Sequence, residues 1–152
     1  MFSTVRYFIK TSIVFLMVGI LSGLYMLIAR NYFNEWPHPD LVSAHTHIIL
    51  VGSVMMMIMG VALWFFPRAE KNDKLYKPTL ILITYYTITI STAVRFISQV
   101  TAAYVQAWGA LKFLLTISSI FQVVAILMFF ISMWGRIRSV GSHLREAKGE
   151  KF

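Results

Sequence analysis

Four blocks of apolar residues, each about as long as a membrane-spanning helix, constrain the fold of this chain more than any other feature. They cover residues 11–29, 41–66, 78–100 and 111–134. A helix needs about 20 apolar residues to cross the hydrocarbon core of a bilayer, and it satisfies its own backbone hydrogen bonds where lipid offers no partners. We therefore predict an all-α integral membrane protein, a single membrane domain of four transmembrane helices packed as a bundle.

The charged residues support the same interpretation. Only 13% of the residues are charged and 58% are hydrophobic, whereas soluble proteins carry about 25% charged residues, so an ordinary soluble enzyme is excluded. Of the 14 basic residues, 11 lie before the first block, between the second and third, or in the basic tail at 135–152. The positive-inside rule then predicts that both termini are cytoplasmic, in a bacterial-type inner membrane. The net charge of +8 thus reflects orientation, and no nucleic-acid partner is expected.

Proline and capping residues mark the ends of the predicted helices. Pro39 and Asp40 precede the second span, and Ser43 is also available as a cap. Pro67 is expected to end that helix and Pro78 to begin the third. The absence of cysteine excludes disulfides, thiolate metal sites and iron–sulfur clusters.

Two histidines inside the second span are the strongest candidates for function, because ionisable groups at membrane depth are costly. Residues two apart on an α-helix point about 200° apart, so His45 and His47 cannot chelate one ion together from a regular helix. They can serve two sites on opposite faces, and neutral imidazole suits axial ligation of haem iron. Gly52 and Gly60 form one stripe that would let a flat macrocycle or a neighbouring helix approach.

Each of these features also has a purely structural interpretation. An intramembrane histidine can hydrogen-bond across a helix interface, and both glycines are compatible with plain helix packing. Gln99, Gln106 and Gln122 are expected to satisfy polar groups inside the bundle. On spacing alone the cofactor and structural interpretations are about even.

The second span resembles one helix of the haem–copper oxidase catalytic subunit. The matching residues run Ala44-His45-Thr46-His47-Ile48-Ile49-Leu50-Val51-Gly52 and continue through Gly60 to Pro67-Arg68. The pattern is closest to that of the C-family cytochrome c oxidases and bacterial nitric oxide reductases, and the whole chain resembles small four-span, subunit I-like proteins. The resemblance implies that His45 binds a high-spin haem b and His47 a low-spin haem b. It also implies that Arg95 binds a haem propionate, although snorkelling to lipid headgroups is the alternative.

The chain departs from that family in its remaining histidines. His38 lies in the first loop and His143 in the tail, and the third and fourth spans contain none. A copper or non-haem iron site is therefore not expected from a single chain. A second axial imidazole would have to come from another copy, in a cyclic trimer or a dimer, or from other respiratory subunits.

These observations predict a membrane b-type haem protein for electron transfer or for binding or reduction of O2 or NO. Whether it is an enzyme, an oxidoreductase of cytochrome c oxidase or nitric oxide reductase type, is left open. The alternative is a non-catalytic membrane subunit, or an assembly or metal-handling factor, of a respiratory oxidase.

Overall fold

The computed structural model describes residues 2–66, 77–105, 108–137 and 149, and in this part of the chain the regular structure is entirely helical. Four long helices follow one another: α1 (Phe2–Phe33), α2 (Pro39–Phe65), α3 (Pro78–Tyr104) and α4 (Gly109–Met133), the last continued by a short 3₁₀ turn at Trp134–Arg136. All four are long and apolar enough to cross a membrane. The prediction of a four-span helical protein is confirmed at this level.

The helices are longer than the apolar blocks that predicted them. α1 begins at Phe2 and ends at Phe33, beyond both ends of the block at 11–29, and α3 continues to Tyr104, beyond the block that ends at residue 100. A hydropathy block measures the part of a helix that lies in hydrocarbon. The helical hydrogen bonds continue through the flanking interfacial residues, so the block underestimates the helix.

Each helix packs mainly against its neighbours in chain order. At one end of the molecule, which we call the Arg136 end, Phe8 of α1 contacts Phe129 of α4 at 6.3 Å between ring centroids, and this contact closes the bundle. The buried core there includes Met59, Leu63 and Met133. Many large apolar side chains point outward, as expected for helices surrounded by lipid.

At the opposite end, which we call the His38 end, α2 begins two residues before the predicted block. Pro39 is the first helical residue, and His38 caps the helix through Nδ1, which accepts a hydrogen bond from the Asp40 N–H at 3.2 Å. Ser43, the other candidate cap, does not cap this helix, since it lies inside it and accepts a hydrogen bond from Gln99 at 2.7 Å. The predicted stop at Pro67 lies outside the described residues, whereas Pro78 does begin α3.

The middle of α2 is a π-helix over Ile48–Met55. A π-helical segment contains extra residues per turn, so it changes which side chains face a given neighbour on either side of it. It begins directly after His47. Segments of this kind are frequent at functional sites.

At the Arg136 end of the molecule, the buried side chain of Arg136 joins the end of α2 to the end of α4. The Arg136 side chain is only 1% exposed, and its Nη2 donates to the carbonyl oxygens of Leu63 at 3.3 Å and Phe66 at 3.0 Å. The last carbonyls of a helix have no partner within the helix. The Arg136 guanidinium, which follows α4, is a hydrogen-bond donor to carbonyls at the end of α2, so it fixes the end of α2 to the end of α4.

Candidate functional site

His45 faces α1, where Gly23 makes room for its ring and the backbone of Gly19 is its hydrogen-bond partner. Its Nδ1–H donates to the carbonyl oxygen of Gly19 at 2.9 Å, and the Ser22 hydroxyl lies 3.2 Å from the same nitrogen. A Cβ added to Gly23 would lie 2.7 Å from Cε1 of the ring. The imidazole is therefore held against the backbone of α1, and its ring packs on Gly23.

This contact determines the tautomer of His45. With the proton on Nδ1, the other nitrogen of a neutral imidazole carries a lone pair. Nε2 of His45 has no hydrogen-bond partner within the described part of the chain. Histidines that bind metals almost always donate their second ring N–H to a carbonyl or carboxylate in this way.

His47 faces α3 and belongs to a chain of hydrogen bonds across three helices. Its Nε2 accepts a hydrogen bond from Arg95 Nη2 at 2.7 Å. Arg95 Nη1 donates to Gln122 Oε1 on α4 at 3.1 Å, and Gln122 Nε2 donates to Thr92 at 3.0 Å. The two histidines thus lie on different sides of α2, as their helical spacing predicts, and each contacts a different helix.

Arg95 carries a charge well inside the spanning part of α3. It lies nine residues before the end of the helix, which is about 14 Å at the helical rise per residue. Among the described residues no carboxylate pairs with it. All six Asp and Glu residues of the chain lie in the loops, at the start of α2 or in the tail. Within the described residues, its guanidinium is therefore stabilised by hydrogen bonds to neutral acceptors.

Three buried polar atoms next to the hydrogen bonds of His47 and Arg95 have no partner among the described residues: Nδ1 of His47, Nε of Arg95 and Oε1 of Gln99. Gln99 and Ser43 form the next pair toward the His38 end, one turn beyond Arg95 and His47. Buried polar groups are nearly always hydrogen-bonded to protein or water. The contact between α2 and α3 thus keeps hydrogen-bonding capacity for water or a ligand.

Gly52 lies against protein on both sides. A Cβ at this position would lie 2.9 Å from the ring of Phe15 on α1 and 2.9 Å from Thr92 on α3. Gly60 is similar, with Phe8 and Ile9 of α1 as its neighbours. The close approach that the glycine stripe predicts is therefore made by side chains of the adjacent helices.

The structure brings together two of the predicted site residues, His47 and Arg95, and separates His45 from them. His38 lies at the start of α2, while His143 and Gln106 lie outside the described residues. Gln99 and Gln122 do satisfy polar groups inside the bundle, as predicted. Gly19 and Gly23 were not predicted, although a Gly-x-x-x-Gly spacing in an apolar span is a recognised signal for close helix packing.

Within the described ranges no group of three or more His, Cys, Asp or Glu side chains could hold a metal ion. Comparison with protein families, with curated proteins and with solved structures finds no match for this chain. The functional argument therefore depends on the geometry of His45, His47 and Arg95.

Proposed function

We propose that the chain is a multi-pass membrane protein that binds a b-type haem through Nε2 of His45, for electron transfer or for binding of O2 or NO. The observation that carries this proposal is the orientation of His45. Its Nδ1–H is bound to the carbonyl of Gly19, and its Nε2 has no hydrogen-bond partner among the described residues. A neutral imidazole held in this tautomer is ready to act as an axial ligand.

The residues around His45 fit that role. The Gly19 carbonyl holds the ring orientation and makes Nε2 the ligating atom, while Gly23 lets the ring lie close to α1. A haem bound here would supply reversible one-electron chemistry and, with one axial position open, a site for a diatomic gas. A second imidazole for a bis-histidine haem would have to come from another copy or from another protein, because the described parts of α1, α3 and α4 contain no histidine.

His47 does not fit axial ligation in the arrangement described. Its Nε2 lone pair already accepts a short hydrogen bond from Arg95. Ligation through Nε2 would require Arg95 to move and would leave Gln122 without its donor. Arg95 retains an unpartnered Nε–H, which is suited to a carboxylate such as a propionate.

The test is the optical spectrum of the purified full chain after expression with excess haem. We expect a Soret band that is lost in His45→Ala, because that variant lacks the ligating nitrogen, and that returns when free imidazole is added to fill the space. His38→Ala is the matched control, since it removes an exposed imidazole at the start of the same helix. The haem-to-chain ratio from the same samples distinguishes one haem per chain from a haem shared by two copies.

Two outcomes would contradict this assignment. A wild-type chain without a haem band after haem-replete expression would remove the haem proposal altogether. A band that survives in His45→Ala and disappears in His47→Ala would transfer the ligand role to His47, and would mean that the Arg95 contact opens when haem binds.

A second function is favoured by a specific observation, since each histidine has a hydrogen-bond partner on a neighbouring helix. In this alternative the histidines join helices in a non-catalytic membrane subunit or an assembly factor. This alternative would be supported if the wild-type protein contains no haem and if His45→Ala and His47→Ala each lose helix packing.

A further inference from the structure

A pocket of about 270 Å³ lies at the His38 end of the molecule, where α1 ends and α2 begins. Its walls come from α1, the first loop and the ends of α2 and α3, with three aromatic side chains: Tyr25, Trp36 and Tyr104. The Tyr104 hydroxyl donates to the Tyr25 hydroxyl at 2.9 Å. This hydrogen bond joins α3 to α1.

The backbone at the end of α1 places an acidic side chain in this pocket. Asn34 has a φ of +56°, a left-handed conformation that asparagine tolerates better than most residues. After it, the N–H of Glu35 returns to the carbonyl of Ala29 at 3.1 Å. The chain is therefore reversed at Asn34, and Glu35 becomes part of the pocket wall.

The pocket has an acidic residue in its lining and a basic residue just outside it. Among the described residues, Glu35 is the only acidic residue of the lining, and no Lys or Arg belongs to it. The guanidinium of Arg30 lies just outside, 4.3 Å above the ring of Trp36. A carboxylate among aromatic rings attracts an ammonium group, and an arginine at the rim attracts a phosphate. The arrangement is complementary to a zwitterion.

Position and size narrow the class of ligand. The pocket lies where three spans end, at the level at which tyrosine and tryptophan meet lipid headgroups. Its volume is below the range of about 300–1,000 Å³ typical of sites that enclose a drug-sized ligand, so it suits a headgroup whose chains remain in the bilayer. The lining also includes the apolar side chains of Met26 and Leu41.

We propose that this pocket binds the headgroup of a zwitterionic phospholipid, with the ammonium against Glu35 and the phosphate at Arg30. In neutral His38, Nδ1 accepts from the Asp40 N–H, so Nε2 carries the proton and adds a second donor for the phosphate. The site is separate from the haem proposal and does not depend on it.

The experiment is native mass spectrometry of the full chain in detergent, titrated with phosphatidylethanolamine or phosphatidylglycerol that have the same acyl chains. We expect the ethanolamine lipid to bind about tenfold more tightly, the effect of one charge-assisted hydrogen bond. Glu35→Gln should abolish this preference, because it removes the charge that holds the ammonium. Arg30→Gln should weaken both lipids, since both carry a phosphate.

The matched control is Lys112→Gln, which changes a basic residue at the same end but outside the lining. This control should retain the wild-type preference. Equal binding of the two lipids by the wild type, or an unchanged preference in Glu35→Gln, would overturn the proposal. Displacement of the lipid by an equal concentration of soluble phosphoethanolamine would also overturn it, because the ligand would then be a free metabolite.

Discussion

At the scale of single residues, the two histidines of α2 differ in what each imidazole leaves free. His45 uses Nδ1 in a hydrogen bond to backbone and keeps Nε2 available. His47 uses Nε2 in a hydrogen bond to Arg95, and its buried Nδ1 has no partner among the described residues. Within the described residues, the same residue type two positions apart thus leaves Nε2 unpaired in one case and Nδ1 unpaired in the other.

We predict that His47 and Arg95 are energetically coupled. Intramembrane hydrogen bonds average about 0.6 kcal/mol and reach about 1.7 kcal/mol, and a charged donor places this pair toward the upper value. The double variant His47→Ala/Arg95→Ala should therefore lose about 1–1.7 kcal/mol less than the sum of the single variants. The free energy of unfolding, measured by titration with a denaturing detergent, provides this comparison.

The control cycle pairs His47→Ala with Arg30→Ala, because Arg30 lies at the far end of α1 and contacts Trp36 instead. That pair should be additive within about 0.5 kcal/mol. Additive losses for His47 and Arg95 would show that their contact contributes nothing to stability.

At the scale of helices, glycines determine how closely α2 approaches its neighbours. Gly19 and Gly23 on α1 receive Ile49 and His45, and Gly52 within the π-helix receives Phe15 and Thr92. Helices in lipid lack a hydrophobic force that drives them together, so they depend on close packing. A side chain at these positions would separate α2 from α1 or α3.

Gly52→Ala is expected to destabilise the fold by about 1 kcal/mol. The added methyl group would lie within 2.9 Å of two side chains, and overpacking of about 1–3 kcal/mol exceeds the gain in helix propensity of about 1 kcal/mol. Gly109→Ala is the matched control, because nothing lies within 4 Å of its added Cβ. Both can be measured by detergent-induced unfolding, and equal stability of the two variants would contradict the packing argument.

At the scale of the whole molecule, four helices that each cross a membrane would bring the start of α1 and the end of α4 to the same side. We propose that this side is cytoplasmic, because the basic residues before the first apolar block, between the second and third blocks and in the tail follow the positive-inside rule. The His38 end, with the proposed lipid pocket and its tyrosine and tryptophan rings, would then face outward.

The orientation can be tested with introduced cysteines, since the chain has none of its own. Tyr32 is 82% exposed at the His38 end, and Gly149 is exposed in the tail. A membrane-impermeant maleimide should label Tyr32→Cys in intact cells, and should label Gly149→Cys only after permeabilisation. The wild-type chain serves as the unlabelled control, and the reverse pattern would place the termini outside.

The four spans, the start of α3 at Pro78 and the separation of His45 from His47 could all be predicted from the sequence. Each follows from local chemistry, namely the length of apolar runs, the missing N–H of proline and the angle between helical positions. The same local rules placed Gln99 and Gln122 inside the bundle, because an amide in a span needs a partner.

The partner of each polar group was decided only by the tertiary structure. Nothing local to His47 indicates Arg95, 48 residues away, and nothing local to His45 indicates the carbonyl of Gly19 on another helix. The π-helix after His47 was not predicted either, and it contains Gly52, which packs between α1 and α3. Sequence periodicity assumes one regular helix, whereas the pairing of side chains depends on the distances between helices.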